Sequence, residues 1–219
     1  FNILNHASFK AALFMTAGIV AHAVHTRDMK RLGGLRRLMP LTFAVATLAA
    51  LSMAGIPLLN GFLSKEMMLE EAAHTVWFGS SWAVPVAATF GAILSVGYSF
   101  RFIGHVFLGP KRDDYPSAPH DPGFGLWAAP GLLAVLVVLI GILPKLMVGP
   151  LVAIASGAVI GGDLPYYSLK LWHWVNAALI MSGIATAGGA ILLWQHGALD
   201  KVWNGMRRPE AKPIFDALM

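Results

Sequence analysis

Long apolar runs that carry a lysine constrain this chain more than any other feature. Residues 11–24 contain no charged side chain, and as a helix they would cover about 21 Å of a hydrocarbon core about 30 Å thick. Lys10 precedes this run and Lys65 lies in another apolar stretch, so both are expected inside the bilayer. A lysine there costs about 2.5–3.5 kcal/mol on insertion scales. A lysine that is kept at such a cost usually has a function, and the commonest one is the movement of ions or protons.

The composition is typical of a membrane protein. Of the 219 residues, 57% are hydrophobic and 12% are charged, whereas soluble domains carry about 25% charged residues. Several apolar stretches approach or exceed the length needed to cross a bilayer. The sequence therefore predicts an all-α fold, a polytopic transmembrane helix bundle.

Several classes of site are not expected. The chain has no cysteine, which excludes disulfides, cysteine-ligated zinc and iron–sulfur clusters within it. Its eight histidines are too scattered for a metal site, and neither a glycine-rich phosphate loop nor a catalytic triad is present. We therefore predict no cofactor and no enzymatic centre. The net charge of +5 comes mostly from one loop, residues 25–39, and basic loops beside membrane spans are routine, so no nucleic-acid partner is expected.

His6 and Lys10 are four residues apart and therefore share one face of the first helix. Both side chains can give and take a proton, which is what a proton relay needs. The alternative is that Lys10 pairs with a buried carboxylate and only holds helices together. Buried structural ion pairs bring little net stability, which favours the relay.

Lys65 and Glu66 follow two helix breakers, Pro57 and Gly61. Discontinuous membrane helices use such breakers to expose backbone groups and helix ends to an ion path. Glu66 and Glu70 share a helical face and can pair with Lys65, Lys10 or Arg101. The alternative is an interfacial re-entrant loop whose charged side chains extend to water.

Two further polar positions lie near helix ends. Arg101 shares a helical face with His105, and both a bundle-stabilising role and a relay role are open for it. His22 and His25 lie beside the basic loop, where either a proton-entry role or a solvated face is possible.

Several motifs resemble those of antiporter-like membrane subunits. Residues 5–14, NHASFKAALF, resemble the His-Ala-x-Phe-Lys-Ala-x-Leu-Phe motif of these proteins. The pattern continues in Arg27-Asp28, in GGLRRLMP at 33–40, in SMAGIP at 52–57 and in GFLSKE at 61–66. The motifs are shared by NuoL, a proton-pumping subunit of respiratory complex I, and by MrpA, the large subunit of Mrp-type cation/proton antiporters.

The closer resemblance is to MrpA. In PLLNGFLSKEM at 57–67 the lysine is followed by Glu66, where complex I subunits typically have aspartate. Residues 164–173, LPYYSLKLWH, also resemble MrpA, although Trp174 stands where glycine is common. The resemblance covers nearly the whole chain.

The resemblance implies a subunit of a secondary transporter that exchanges a monovalent cation, usually Na⁺, for H⁺ across a bacterial inner membrane. By position, His6 and Lys10 match the central proton-transfer helix. Lys65 matches the lysine of a discontinuous helix, and Glu66 is its acidic neighbour. The implied partners are other subunits of the antiporter complex, the lipid bilayer, and Na⁺ and H⁺ as transported ions.

His22 and Arg101 match recurrent polar positions of the family and complete the implied set of proton-translocation residues. The chain begins with Phe1 in apolar sequence, and we expect a fragment, the second half of an antiporter-like unit. The expected parts are a transmembrane proton-translocation half-repeat at 1–109, a polar loop at 110–125, C-terminal transmembrane helices at 126–194 and an amphipathic tail at 195–219.

Five full spans are expected, near residues 1–24, 40–53, 83–108, 126–148 and 173–194. A broken segment is expected at 61–76 and an interfacial connection at 149–165. The positive-inside rule places the loop at 25–39 in the cytoplasm and the loop at 109–125 outside. By this count the tail lies outside, whereas the family's surface helix at this point is cytoplasmic, so the orientation stays open.

Two alternatives to antiport remain from the sequence. One is a proton-pumping subunit of a complex I-type oxidoreductase, which would use the same charged axis without Na⁺. The other is a membrane scaffold that transports nothing, in which the lysines only bridge subunits.

Overall fold

The computed structural model describes residues 1–161, 169 and 174–205. Within this part the chain forms nine α-helices, in agreement with the predicted all-α class. The helices are α1 (Asn2–Val24), α2 (Pro40–Ala54), α3 (Asn60–His74), α4 (Ala83–Phe102), α5 (Phe124–Ile142), α6 (Pro144–Met147), α7 (Gly149–Ile160), α8 (Ala177–Trp194) and α9 (His196–Gly205). Most of the MrpA-like motif at 164–173, and the predicted tail beyond residue 205, lie outside the described residues.

Four helices are long and apolar enough to cross a membrane, judged by length and composition. They are α1, α4 together with its π-helical continuation Ile103–Leu108, α5 and α8. The prediction of a full span at 40–53 is wrong, because α2 has 15 residues and extends only about 22 Å. Instead, α2 and α3 are the two halves of one broken segment.

Two other predicted boundaries also change. The span expected at 126–148 ends earlier, because α5 stops at Ile142 and Pro144 begins the short helix α6. The connection expected at 149–165 contains a further helix, α7, none of whose residues is buried.

Two glycines form the break between α2 and α3. Gly55 ends α2 in the left-handed region, with φ of 81°, which glycine adopts without steric cost. A Cβ atom at Gly61 would lie 1.9 Å from the carbonyl oxygen of Ser52. The first turn of α3 can therefore lie directly against the last turn of α2 only because residue 61 has no side chain.

Close helix contacts hold the candidate site in place. α1 packs against α2 and α5, and α4 packs against α2 and α8. At Gly189 of α8, a Cβ atom would lie 2.4 Å from a methyl carbon of Val96 on α4, a close approach typical of membrane helices. Phe9, Val45 and Val137 are buried where α1, α2 and α5 meet. These contacts fix α1, α2 and α4 relative to one another.

The loops at 25–39 and 109–123 touch each other. The hydroxyl of Tyr115 donates to the carbonyl of Gly33, and Arg112 Nε donates to the carbonyl of Leu32 at 3.2 Å. Asp121 accepts a hydrogen bond from the backbone N–H of Thr42 at 3.0 Å, at the start of α2. Both loops therefore lie at one end of the bundle.

The prediction that these loops face opposite sides is therefore wrong. The reason is that α2 is too short to cross alone, so the broken segment crosses once and α4 returns. Asp200 on α9 pairs with Arg101 near the end of α4, which brings the described part of the tail to the same end. The described part of the tail and the basic loop therefore lie on the same side of the membrane. This removes the conflict with the cytoplasmic position of the family's surface helix.

We predict that single cysteines at Lys30 and Asp113 react with an impermeant thiol reagent from the same side of the membrane. Because this end carries the basic loop, that side is expected to be the cytoplasm. A cysteine at Val76, between α3 and α4, is expected to react from the opposite side. The labelling uses the full-length complex freed of other cysteines, in right-side-out and everted vesicles. Labelling of positions 30 and 113 from opposite sides would contradict this topology.

Candidate functional site

Lys65 is buried in α3, with 9% of its surface exposed. Its Nζ donates to the carbonyl of Ala54 at 2.7 Å, at the C-terminal end of α2. Carbonyls there lack partners within the helix and carry the negative end of the helix dipole, so they suit an ammonium group. The Lys65 stem lies over Gly55, where a Cβ atom would be 2.5 Å from Cδ. The break between α2 and α3 therefore forms the pocket and the hydrogen-bond acceptor for the Lys65 side chain.

Glu66 is also buried but does not form the expected ion pair. In the part of the chain that the structure describes, the one ion pair within 4.0 Å joins Arg101 to Asp200. The pairing of Glu66 with Lys65, Lys10 or Arg101 that the sequence left open is therefore not formed among the described residues. The physical reason is that Lys65 turns back toward the end of α2 and Arg101 has another carboxylate.

Lys10 faces a cavity of about 670 Å³ between α1 and α4. Its Nζ lies 5.7 Å from the centroid of the Tyr98 ring, a distance at which an ammonium is attracted to the ring face. Arg101 and His105 of the α4 segment line the same cavity, together with Asp200 of α9. The structure thus brings two predicted site residues, Lys10 and Arg101, to one space.

Contacts between α4 and α9 form one edge of this cavity. Arg101 donates to both carboxylate oxygens of Asp200, at 2.9 and 3.2 Å. Beside this pair, the rings of His105 and His196 pack edge to face, with centroids 4.8 Å apart. Both side chains of the ion pair are 43% exposed, so the pair adds little stability. Its effect is to hold Asp200 of α9 at the edge of the cavity.

The charges around the cavity are mostly positive. Its lining includes Lys10, Arg27, Lys30 and Arg101 as cations, against Asp28 and Asp200 as carboxylates. Both carboxylates are engaged, because Asp28 accepts from the backbone N–H of Lys30 at 2.9 Å and Asp200 binds Arg101. Among the described residues, no cluster of three or more histidine, cysteine, aspartate or glutamate side chains could hold a metal ion. The lining of the cavity therefore carries a surplus of positive charge.

The two remaining predicted residues, both histidines, lie apart from this cavity. His6 is exposed on α1 and packs edge to face on Phe9, with ring centroids 5.5 Å apart. His22 lines a separate cavity of about 430 Å³ at the basic-loop end, and its ring lies 6.3 Å from that of His25. Neither histidine contacts Lys65 directly.

A buried network of amides and hydroxyls is absent from the sequence-based predictions. Asn60 donates to Ser8 at 2.7 Å and accepts from Ser52 at 2.7 Å. Asn5 donates to the carbonyl of Asn60 and to the hydroxyl of Ser64, both at 3.1 Å. The network ties α1 to both halves of the broken segment. Its signal in the sequence is the i, i+3 spacing of Asn5 and Ser8 within an apolar helix.

Together these contacts place Lys65 at a helix break and Lys10 in a charged cavity beside two helices long and apolar enough to cross a membrane. Residues 1–95 match the family model described as NADH:quinone oxidoreductase/Mrp antiporter, transmembrane. The match covers 95 of the 219 residues of the chain. The family resemblance inferred from the motifs is thereby confirmed, and this protein is a multi-pass membrane protein.

Curated relatives and a solved structure extend the match beyond residue 95. The chain is 45% identical over 190 residues to a probable K⁺/H⁺ antiporter subunit of Rhizobium meliloti (strain 1021), a match that covers 86% of this chain and 19% of the relative. It is 39% identical over 200 residues to a Na⁺/H⁺ antiporter subunit of Staphylococcus haemolyticus (strain JCSC1435), covering 88% and 25% respectively.

The solved structure is that of the Mrp complex from Dietzia sp. DQ12-45-1b, matched with a TM-score of 0.76 and 34% identity over 90% of this chain and 21% of that chain. This match supports the predicted fold over most of the chain. The chain spans about a fifth to a quarter of the length of the relatives and the solved chain that it matches.

Proposed function

We propose that this chain is part of a subunit of a multisubunit antiporter that exchanges a monovalent cation for protons across a bacterial inner membrane. The observation that carries the proposal is the position of Lys65, buried and bound to the carbonyl end of a broken helix. A group held this way can change its charge and alter the helix end that binds it.

The proton pathway that we propose includes the six residues singled out in the sequence. Lys10 and Arg101 are the cavity members, and Lys65 and Glu66 are the buried members at the break. His6 and His22 lie outside the cavity and are proposed to exchange protons with neighbouring segments of the full-length protein. A cavity of this size has room for several waters, since one occupies about 30 Å³.

A purely structural role for the lysines is disfavoured by their contacts. A scaffold lysine would be expected in an ion pair, because an uncompensated buried charge is costly. In the described part of the chain, Lys65 instead contacts a neutral carbonyl and Lys10 contacts an aromatic face. In both arrangements the lysine can lose its proton without leaving a buried carboxylate as an uncompensated charge.

The transported cation is proposed to be Na⁺ or K⁺. The named relatives comprise a Na⁺/H⁺ antiporter subunit and a K⁺/H⁺ antiporter subunit. Because the cavity at Lys10 has surplus positive charge, the cation site is proposed to lie elsewhere in the full-length protein or in a partner subunit.

The proposal is tested with everted vesicles that carry the full-length complex. We expect added Na⁺ or K⁺ to collapse a preformed pH gradient, with a faster initial rate than in vesicles lacking the complex. The family description also includes NADH:quinone oxidoreductases, so quinone-linked proton pumping is measured in parallel. Pumping with no response to either cation would favour the complex I-type alternative over antiport.

A further inference from the structure

Two hydroxyl groups lie between Lys10 and Lys65. The Lys10 ammonium faces the Tyr98 ring, as described above. Ser95, on the same helix as Tyr98, places its Oγ 3.4 Å from the Tyr98 hydroxyl oxygen and 3.4 Å from the carbonyl oxygen of Met53. The next carbonyl along α2, that of Ala54, binds Lys65. These groups thus form a line of neighbours from the Lys10 cavity to the carbonyl next to the one that binds Lys65.

Hydroxyl groups suit this position chemically. A hydroxyl both donates and accepts a hydrogen bond, whereas a backbone carbonyl only accepts. Tyr98 and Ser95 are therefore the members of this line that can take up one proton and release another. Tyr98 also lines the cavity that holds Lys10, where water can join the lysine to the hydroxyl.

We propose that Tyr98 and Ser95 carry the proton between Lys10 and Lys65, a proposal that rests on the proposed antiport function. The Lys10 ammonium gives up one proton and becomes a neutral amine. Each hydroxyl oxygen accepts a proton and passes on the one it held, so neither group is changed. A neutral Lys65 amine accepts the last proton through water and becomes an ammonium at the end of α2.

The buried amide network is a poorer route between the same helices. Asn5 and Asn60 use their side-chain N–H groups to bind one another and the neighbouring serines. A side-chain amide donates and accepts hydrogen bonds but is not a titrating group, so it holds helices without relaying charge. Asn5 is also fully buried toward α3, whereas Lys10 faces the cavity.

The test uses substitutions that remove a hydroxyl and leave its surroundings. Tyr98→Phe removes the hydroxyl and keeps the ring that faces Lys10, and Ser95→Ala removes only the side-chain oxygen. Each substitution is expected to slow cation-driven proton exchange at least about tenfold in the full-length complex. Ser95→Thr restores a hydroxyl and is expected to restore exchange. Ser99→Ala, one turn further along α4, removes a hydroxyl outside the line and is expected to leave the rate unchanged.

Lys10→Ala and Lys65→Ala, measured in the same vesicles, separate the two proposals. If both lysine variants lose exchange while Tyr98→Phe and Ser95→Ala keep the native rate, the hydroxyl line is wrong and the proposed function stands. If the lysine variants also keep the native rate, the proposed function fails and the hydroxyl line fails with it. Equal loss in Ser95→Thr and Ser95→Ala would show that packing, not the hydroxyl, matters at this position.

Discussion

Lys65→Arg is expected to reduce cation-driven proton exchange to the background of vesicles without the complex. Arginine keeps the positive charge and can still donate to the carbonyl of Ala54, so a hydrogen bond from residue 65 to this carbonyl is retained. It does not deprotonate at any physiological pH. A relay that needs a neutral amine at this position therefore stops, although a scaffold that needs only a cation would not.

The measurement is the initial rate of pH-gradient collapse after Na⁺ or K⁺ is added, with the amount of assembled complex determined in the same membranes. Lys65→Ala is expected to fail equally. Lys145→Arg is the matched control, because Lys145 lies exposed on α6 away from the cavity. Native rates in Lys65→Arg would rule out proton release from Lys65 as a step in transport.

Gly61→Ala is expected to destabilise the break between α2 and α3. The added methyl group would lie 1.9 Å from the carbonyl oxygen of Ser52 and 2.6 Å from its carbonyl carbon, and backbone atoms cannot turn aside as a side chain can. The same shift would break the bond from the Gly61 N–H to Ser52 Oγ, now 3.0 Å long. Overpacking of this kind costs about 1–3 kcal/mol or more.

Thermal unfolding of the purified full-length complex, together with its yield, checks this prediction. We expect a lower apparent Tm and less assembled complex. Gly183→Ala in α8 is the matched control, because a Cβ atom there meets nothing within 4 Å and alanine is the better helix former. An equal Tm for the two variants would show that α2 and α3 are not held as closely as described.

The apolar patterning is sufficient to predict the helix bundle and the position of the break. The apolar stretches at 1–24 and before Lys145 indicate membrane helices by their length and composition. Pro57 and Gly61 mark the interruption within a few residues, because glycine and proline act on the backbone locally. The predicted bounds of α2 agree with the structure to within one residue, but counting α2 as a full span is wrong, and that one error reverses the side assigned to the loop at 109–125.

Contacts between distant parts of the chain cannot be predicted from spacing. Arg101 and Asp200 are 99 residues apart, and nothing in either local sequence specifies the other. The pattern around Lys65 predicts a carboxylate partner, but the nearest favourable group is a backbone carbonyl, which no side-chain pattern reveals. The network around Asn5 and Asn60 depends in the same way on how α1 meets α3.

A lysine pathway is tested by cation-driven proton movement in proteoliposomes, comparing the native full-length complex with Lys10→Ala. We expect the native complex to acidify or alkalinise the lumen in response to a Na⁺ or K⁺ gradient and Lys10→Ala to do so at background rate. Lys145→Ala is expected to behave as the native complex does. Equal rates in the native complex and Lys10→Ala would contradict a proton pathway through this chain's cavity.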